Sequence, residues 1–556
     1  MNNGYKTRTG YIFLFSCILY GLILLNLFFL QIKQHTFYKE LANKQYITSV
    51  TTYPPRATIT DRNGTPLALN KESVAAFILP KKITHKKKLL DFLKQYFPES
   101  IARFYTKQDS YFMYIKRNLS EAEQRLIQEH AIEDIHFLTE PRRFYPHPET
   151  AALVGITDVD NKGIFGCELL FNKNLAGTPT TTILERDARS GNFYFSQETQ
   201  MLGLTGASVQ LTIDAPIQFL VQEALEAQAN KFKSKEGGVV VMDPETGHII
   251  AMASYPTFDP NNTTGIDLLL TKNTPVTESY EFGSGLKTFC ALAALEEKVV
   301  TADEPIDCHN AKTTIVDGRR INTVYPDGII PFSMVMQRSN NIGIAKVAKR
   351  IGLKLYDHYK QMGFGAKTGI SFPGEQAGFV NHPKNWSKQS IISLSYGYEI
   401  TVTLLQITRA FCMFCNNGFL IQPKLILSPE QAQTTPIKIY SDESIAIARD
   451  ILEKTTSTKE GTGKYAAVKG FRTLGKTSTA NLLQNGVYDN NKNFFAFIGA
   501  VEEIEPRPGK KPYKRVIGCY LKESAKHGIY ASTVAAPLFE TVAETLLIHD
   551  KVLLPA

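Results

Sequence analysis

The chain has 556 residues, 43% of them hydrophobic and 21% charged, with 62 Lys and Arg against 53 Asp and Glu for a formal net charge of +9. That length accommodates several domains, and the composition is that of a folded body, which excludes global disorder. The basic excess is spread out, aromatics do not interleave a basic stripe and no Gly-rich phosphate loop follows a strand, so no nucleic-acid module is expected.

The first element in chain order is the uncharged run YIFLFSCILYGLILLNLFFLQ at residues 11–31. At ~1.5 Å per helical residue it reaches ~30 Å, the thickness of a bilayer core. A cleaved signal peptide has an apolar core of ~7–15 residues and a small-residue cleavage site; here FFLQIKQ follows, so a retained membrane helix is expected. Lys6 and Arg8 precede it. They favour a cytoplasmic tail at residues 1–10 and a single-pass protein of the cytoplasmic (inner) membrane whose bulk lies on the periplasmic or extracellular side.

TFYKELANKQ predicts a helix leaving the membrane, and YPPRATITDRNGTPLALN a short strand between turns at Pro54-Pro55 and Asn63-Gly64. The run KKITHKKK at 81–88 reads as a solvated face, and SEAEQRLIQEH as a helix. Residues 32–205 together predict a non-catalytic α+β module.

From residue 206 the pattern sharpens. VQLTIDAPIQFLVQEALEAQANKF predicts a strand, a turn and an amphipathic helix, and VVVMDPETGHIIAMASYP a hairpin. Later helices (LKTFCALAALEEKVV, NNIGIAKVAKRIG) precede strands at NFFAFIGAVEE and YKRVIGCYLKE and a last helix at STVAAPLFETVAETLL. Residues 206–556 therefore predict a second α+β domain. The seven cysteines (17, 167, 290, 308, 412, 415, 519) are too scattered for a disulfide framework, and Cys412 and Cys415 lie in an apolar helical pattern that predicts core packing. No histidine cluster has ligand spacing, so no metal is expected.

Chemistry concentrates in ESYEFGSGLKTF, where Ser284 and Lys287 stand three apart and share one helix face. An amine desolvated there by Phe282, Leu286 and Phe289 has a lowered pKa and becomes a base toward the serine. Alone, the pattern is equally a Gly-rich helix start. Two further pieces follow: Ser339 and Asn341 at S-x-N spacing in QRSNNIGIAK, and Lys476, Thr477 and Thr479 in TLGKTSTANLL, on an expected strand.

An S-x-x-K, then S-x-N, then K-T-x-T in this order resembles the penicillin-recognising acyl transferases. The resemblance is to class B penicillin-binding proteins, the division-type (FtsI-like) peptidoglycan D,D-transpeptidases above all, and it runs along nearly the whole chain. PPRATITDRNGTPLA, RRFYPHPETAALVGITDVDNKGIFGCE and LERDARS are similar to the family's pedestal; TGISFPGEQAG and SLSYGYEITVTLLQITRAFC to its transpeptidase domain. It implies an elongated α+β pedestal at 32–205 and, at 206–556, an antiparallel sheet covered by helices with an all-helical subregion. Ser284 would be the acylated nucleophile and Lys287 its base. Ser339 and Asn341 would border the cleft, relaying a proton to the leaving amine and binding the donor amide. Lys476 would set the local potential, while Thr477 and Thr479 would hold the terminal carboxylate of a D-Ala-D-Ala stem peptide. The backbone N–H groups of Ser284 and Thr479 would form the oxyanion hole. β-Lactams, a membrane glycosyltransferase and other division proteins are the implied partners; no cofactor is implied. The literal K-T-G at Lys367-Thr368-Gly369 comes only 28 residues after Ser339, too early for the strand closing such a site.

Three positions depart from the family pattern: Ser478 stands where K-T-G-T has glycine, Ala57 follows Arg56 in place of glycine, and Phe282 replaces the usual proline before Gly-Ser. They motivate a second expectation, a division scaffold with a decayed cleft. A third is a membrane-anchored β-lactam sensor or β-lactamase, against which the long pedestal and the S-x-N asparagine weigh.

Overall fold

The computed structural model describes residues 3–110, 112–186, 193–263, 265–427, 435–484, 487–525 and 530–553. With no charge from 11 to 31 to interrupt it, the N-terminal run forms one helix, Asn3–Phe28, continued by a π-helical turn at Phe29–Lys33. Its large apolar side chains are exposed to the surroundings, which in water is prohibitive and in a bilayer is the requirement, so this helix is a membrane anchor. A helix at His35–Tyr46 and an antiparallel sheet of Ile47–Thr52, Thr180–Arg186 and Phe193–Met201 follow. These segments belong to one compact unit, the chain up to Pro55 with Ala176–Gly206; Arg56–Leu175 and the chain from Ala207 form another. In LERDARS, residues 187–190 lie outside the described residues.

In the larger unit, Pro66–Ile78 pairs with Ile59–Thr60, Met113–Lys116 and His136–Phe144, and Ile59–Thr60 also takes Val209–Gln210 in parallel. The basic run is exposed, while the helix it enters, Lys86–Tyr96, turns Leu89, Phe92 and Leu93 inward. SEAEQRLIQEH forms its helix at Glu121–Glu129, started by a capping box in which Ser120 and Glu123 satisfy each other's backbone N–H groups.

The largest sheet contains β1 (Glu236–Met242), β2 (Ile249–Tyr255), β3 (Phe471–Gln484), β4 (Val487–Glu503) and β5 (Lys514–Lys522) in the order β2-β1-β5-β4-β3, all antiparallel. Alternation along β4 sends Phe495 and Phe497 to one face and Phe494, Ala496 and Ile498 to the other. The first face packs under α1 (Ala215–Phe232) and the last helix, α5 (Ala531–His549). α1 starts where the Asp214 carboxylate accepts the Ile217 N–H and Pro216 occupies the first turn. α5 is long and apolar enough to cross a membrane, but its inner face is core: Val534, Leu538, Phe539, Val542 and Leu546 are at most 1% exposed. The opposite face packs under the helical region, which includes α2 (Lys287–Glu296), α3 (Asn341–Ile351) and α4 (Asp442–Ser457). Cys412 and Cys415 are buried as free thiols in that core.

Candidate active site

Ser284 does not sit in α2 itself but in the 3₁₀ turn Gly283–Leu286 that leads into it. In a 3₁₀ turn residues i and i+3 eclipse, so Ser284 and Lys287 leave the chain on one side. The turn is pressed against the sheet. Gly283 has φ +51, and a Cβ there would lie 2.9 Å from the Thr479 carbonyl oxygen; a Cβ on Gly397 would lie 2.2 Å from the Gly283 oxygen. Both glycines are therefore sterically required. Ser284 is half-buried, and its hydroxyl makes no hydrogen bond to any described residue.

Lys287 is fully buried. Its Nζ donates to the Ser339 carbonyl at 2.6 Å and the Ser339 hydroxyl at 3.0 Å. Burial, reinforced by the nearby Lys476, holds this amine well below the usual lysine range. Cys290, one turn on, is no rival nucleophile, because burial pushes its thiol up to about 12.

Ser339 reaches the lysine by adopting φ +55, a left-handed conformation that costs a non-glycine residue roughly 1–3 kcal/mol. Asn340 stabilises it from behind. Fully buried, it accepts the Ile342 and Gly343 N–H groups as the N-cap of α3 and donates to Asp327 at 3.0 Å. Asp327 in turn pairs with Arg338 at 2.6 Å. Asn341, the asparagine of the S-x-N spacing, is half-buried and donates to the Asn322 carbonyl at 2.6 Å. The motif thus holds two asparagines with different tasks. The S-x-N spacing does not single out Asn340, whose signal is a different one: an asparagine directly before an apolar helical pattern marks an N-cap.

β3 closes the other side. Its register with β4 pairs Lys476 with Ile498 and Ser478 with Ala496, so both side chains face the helical region, whereas Thr477 and Thr479 share the α5 face with Phe497 and Phe495. Lys476 is 1% exposed and Ser478 0%. Burial pushes Lys476 down to about 7, and neither it nor Lys287 has a carboxylate partner among the described residues. The Ser478 hydroxyl donates to the Phe282 carbonyl, tying β3 to the residue that enters the serine's turn. Thr477 hydrogen-bonds Thr462 at 2.9 Å, and the exposed Thr479 accepts the Ala531 N–H at 3.3 Å.

β3 is an edge strand, and its edge is closed piecemeal. The Thr456 and Thr455 hydroxyls of α4 donate to the Thr473 and Gly475 carbonyls, and the Tyr398 hydroxyl accepts the Asn481 N–H. Backbone groups of alternate residues point the same way in an antiparallel strand, so Thr477 and Thr479 also direct their N–H and C=O outward. The stretch between the closed positions adjoins the serine's turn at the Thr479 carbonyl, and within it the Thr477 carbonyl accepts the Lys476 Nζ at 3.3 Å. An open strand edge there is a template for an extended peptide.

The chain's expected site residues fall into two groups. Ser284, Lys287, Ser339 and Lys476 converge, together with Ser478; Asn341, Thr477 and Thr479 flank them, each engaged with a neighbour. The Lys367-Thr368-Gly369 triplet is in a loop, where Thr368 is bound to Glu375 at 2.6 Å.

Because Lys476 is cationic in the unfolded chain up to about pH 10.4 but in the folded chain only up to about 7, the unfolded state binds more protons between those values. Its burial therefore costs most below about pH 7, and the cost fades toward pH 10. Lys476→Met is expected to melt above the wild type at about pH 6, with the gap closing by about pH 10; a pH-independent gap would contradict a titrating buried amine.

The sequence matches the family model described as the penicillin binding protein transpeptidase domain over residues 237–508, and that described as the penicillin-binding protein dimerisation domain over 51–211. It is 29% identical over 546 residues to the probable peptidoglycan D,D-transpeptidase PenA of Neisseria meningitidis, covering 96% of this chain and 91% of that one. Against the peptidoglycan D,D-transpeptidase FtsI of Escherichia coli it is 28% identical over 500 residues, covering 88% and 82%. The crystal structure of penicillin binding protein 3 from Mycobacterium tuberculosis complexed with aztreonam superposes with a TM-score of 0.69 at 25% identity, covering 91% of this chain and 98% of that one. With two family models spanning most of its length and a half-buried serine beside a buried lysine, set against an edge strand, the chain belongs to the penicillin-binding proteins, as a class B member of division type.

Proposed function

We propose that the protein is a membrane-anchored peptidoglycan D,D-transpeptidase that cross-links stem peptides in septal wall synthesis and is acylated by β-lactams at Ser284. The observation that carries this reading is the Lys287 amine, buried beside the serine's turn and held by Ser339, because burial lowers its pKa and so favours the neutral form that can accept a proton. Lys287 takes the Ser284 proton as Oγ attacks the carbonyl of the penultimate D-Ala. The C–N bond breaks, the proton passes by way of Ser339 to the departing D-Ala amine, and an ester remains on Ser284. An amine of a neighbouring stem peptide then attacks the ester, forms the new amide and returns a proton to the serine.

The N–H groups of Ser284 and Thr479 receive the developing oxyanion in this reading. Removal of one such donor typically costs ~10²–10³ in rate. Lys476, Thr477 and Thr479 attract and hold the donor's terminal carboxylate, and Asn341 its amide. Functionally we divide the chain into a tail at 1–10, the span at 11–31, a pedestal at 32–205 and a transpeptidase domain at 206–556, with the last two outside the cytoplasmic membrane. Span and pedestal are the surfaces for a membrane glycosyltransferase and other division proteins.

Incubation of the protein with labelled penicillin, followed by digestion, is expected to place one stable adduct on the peptide holding Ser284 and none in Ser284→Ala. An adduct elsewhere, or none in the wild type, sinks the assignment. Rapid release of hydrolysed penicillin would instead favour the β-lactamase reading.

A further inference from the structure

A cavity of about 550 Å³ lies between the strand that carries Arg142 and Arg143, His136–Phe144, and the loop at 260–263, away from the serine. Its inner wall is cationic. Glu168, fully buried, is shared by two guanidiniums: Arg56 Nε meets one carboxylate oxygen at 2.6 Å and Arg143 Nε the other at 2.6 Å. Arg56 and Arg143 are themselves only 3% and 4% exposed. One buried carboxylate thus serves two buried cations, an imbalance a protein interior tolerates poorly. Arg143, which lines the cavity, also has its Nη2 buried without any acceptor.

Arg142 stands half-buried in the same wall. It donates to the Asn261 carbonyl at 3.1 Å and has no carboxylate partner among the described residues. The nearby acids are engaged elsewhere. Glu123 holds Lys116 and Glu140 holds Arg117, each at 2.6 Å. Asp158 accepts the N–H groups of Asp160 and Lys162, and Asp160, with a side chain 78% exposed, reaches Arg117 from the solvent side. Charge is therefore balanced only at the rim, where salt and water screen it, and not at the base of the cavity.

We propose that this cavity is a carboxylate-binding site, in which the ligand's carboxylate seats on Arg142 and is backed by the half-satisfied Arg143. A planar carboxylate matches the guanidinium fork in two parallel hydrogen bonds, which a spherical anion does not. Of the amides on the wall, Asn261 is spent on the Tyr145 backbone, while the Asn118 Nδ2 and the Asn161 Oδ1 make no hydrogen bond among the described residues and are the groups left for an extended polar ligand.

The test titrates the full chain in detergent micelles at low salt, after treatment with penicillin so that Ser284 is blocked. The probes are N-acetyl-D-alanyl-D-alanine, its C-terminal amide, and glutarate. Saturable heat is expected from at least one acid with a Kd below about 1 mM, and none from the amide. Arg142→Gln is expected to weaken that binding at least about tenfold. Binding of the dipeptide alone identifies a peptide end as the ligand, and binding of glutarate alone a free small acid. No heat from either acid up to about 10 mM, or unchanged binding in Arg142→Gln, overturns the proposal. A chain that penicillin fails to acylate counts against the enzymatic reading and leaves this titration to be read on the untreated protein.

Discussion

Lys287→Met is expected to lower the second-order rate of Ser284 acylation by labelled penicillin about 1000-fold, within the ~10²–10⁴ that a positioned general base contributes. The methionine side chain fills a similar volume and carries no proton acceptor for the serine. It also removes a buried amine whose partners among the described residues are the two oxygens of Ser339. Folding stability should therefore hold or rise, since a buried amine with no carboxylate beside it is a cost that an apolar side chain of similar volume does not incur. That pairing of outcomes separates chemistry from collapse: a catalytic base gives a lost rate with an unchanged or raised Tm, a structural lysine gives a lowered Tm. In the wild type, acylation should fall as pH drops, because the neutral amine is the active form and its pKa is lowered by burial and by Lys476. Lys476 gains its own proton below about 7, and that charge opposes a proton on Lys287, which spreads the fall over a wider pH range. Retention of acylation within about tenfold in Lys287→Met would remove Lys287 from the role of base.

Much of this site was legible because its parts are local patterns in a fixed order. Ser284 and Lys287 are three residues apart, and the strand carrying Lys476 follows from its own residues. The helices at α1, α2 and α3 follow from apolar periodicity and from caps such as Asp214. What the sequence hid is long-range. Nothing local says that Thr455 and Thr456 close the edge of β3 at Gly475 and Thr473, or that Tyr398 closes it at Asn481, and so which stretch stays open. The face on which Thr477 and Thr479 lie depends on the pairing of β3 with β4, which spacing alone does not fix. Adjacent asparagines could not be told apart by a motif that specifies only S-x-N. The same limit applied to the pedestal. In sequence Arg56 is half of an altered Arg-Gly pair, and its part in a buried group with Glu168 and Arg143 needs partners more than 80 residues away.

The sequence left open whether Ser478 leaves the site enough room, and the packing around it makes that measurable. Ser478 is fully buried, and a Cβ placed on Gly285 would lie 3.4 Å from its Cβ and 3.5 Å from its Oγ. Its hydroxyl is spent on the Phe282 carbonyl, and the Phe282 ring sits edge-on to Phe494 at 4.9 Å. Two departures from the family pattern therefore meet in one contact, between the strand and the turn that presents the nucleophile. Ser478→Val exchanges the donor for a methyl and adds another where no free space exists, which forces the turn away from β3. Acylation is expected to fall about 100-fold, the scale at which displacements near 1 Å act on reacting groups. Ser478→Gly removes the hydrogen bond, worth about 1 kcal/mol, and adds the entropy cost of a strand glycine, about 0.5–1 kcal/mol. It should lose roughly 1–2 kcal/mol of stability and less than tenfold in acylation. The predicted order is thus Ser, then Gly, then Val, measured as acylation rates beside denaturant midpoints. A glycine variant that acylates faster than the wild type at equal stability would show that the serine merely obstructs the cleft. The predicted order would instead show that the contact with Phe282 holds the nucleophile in place.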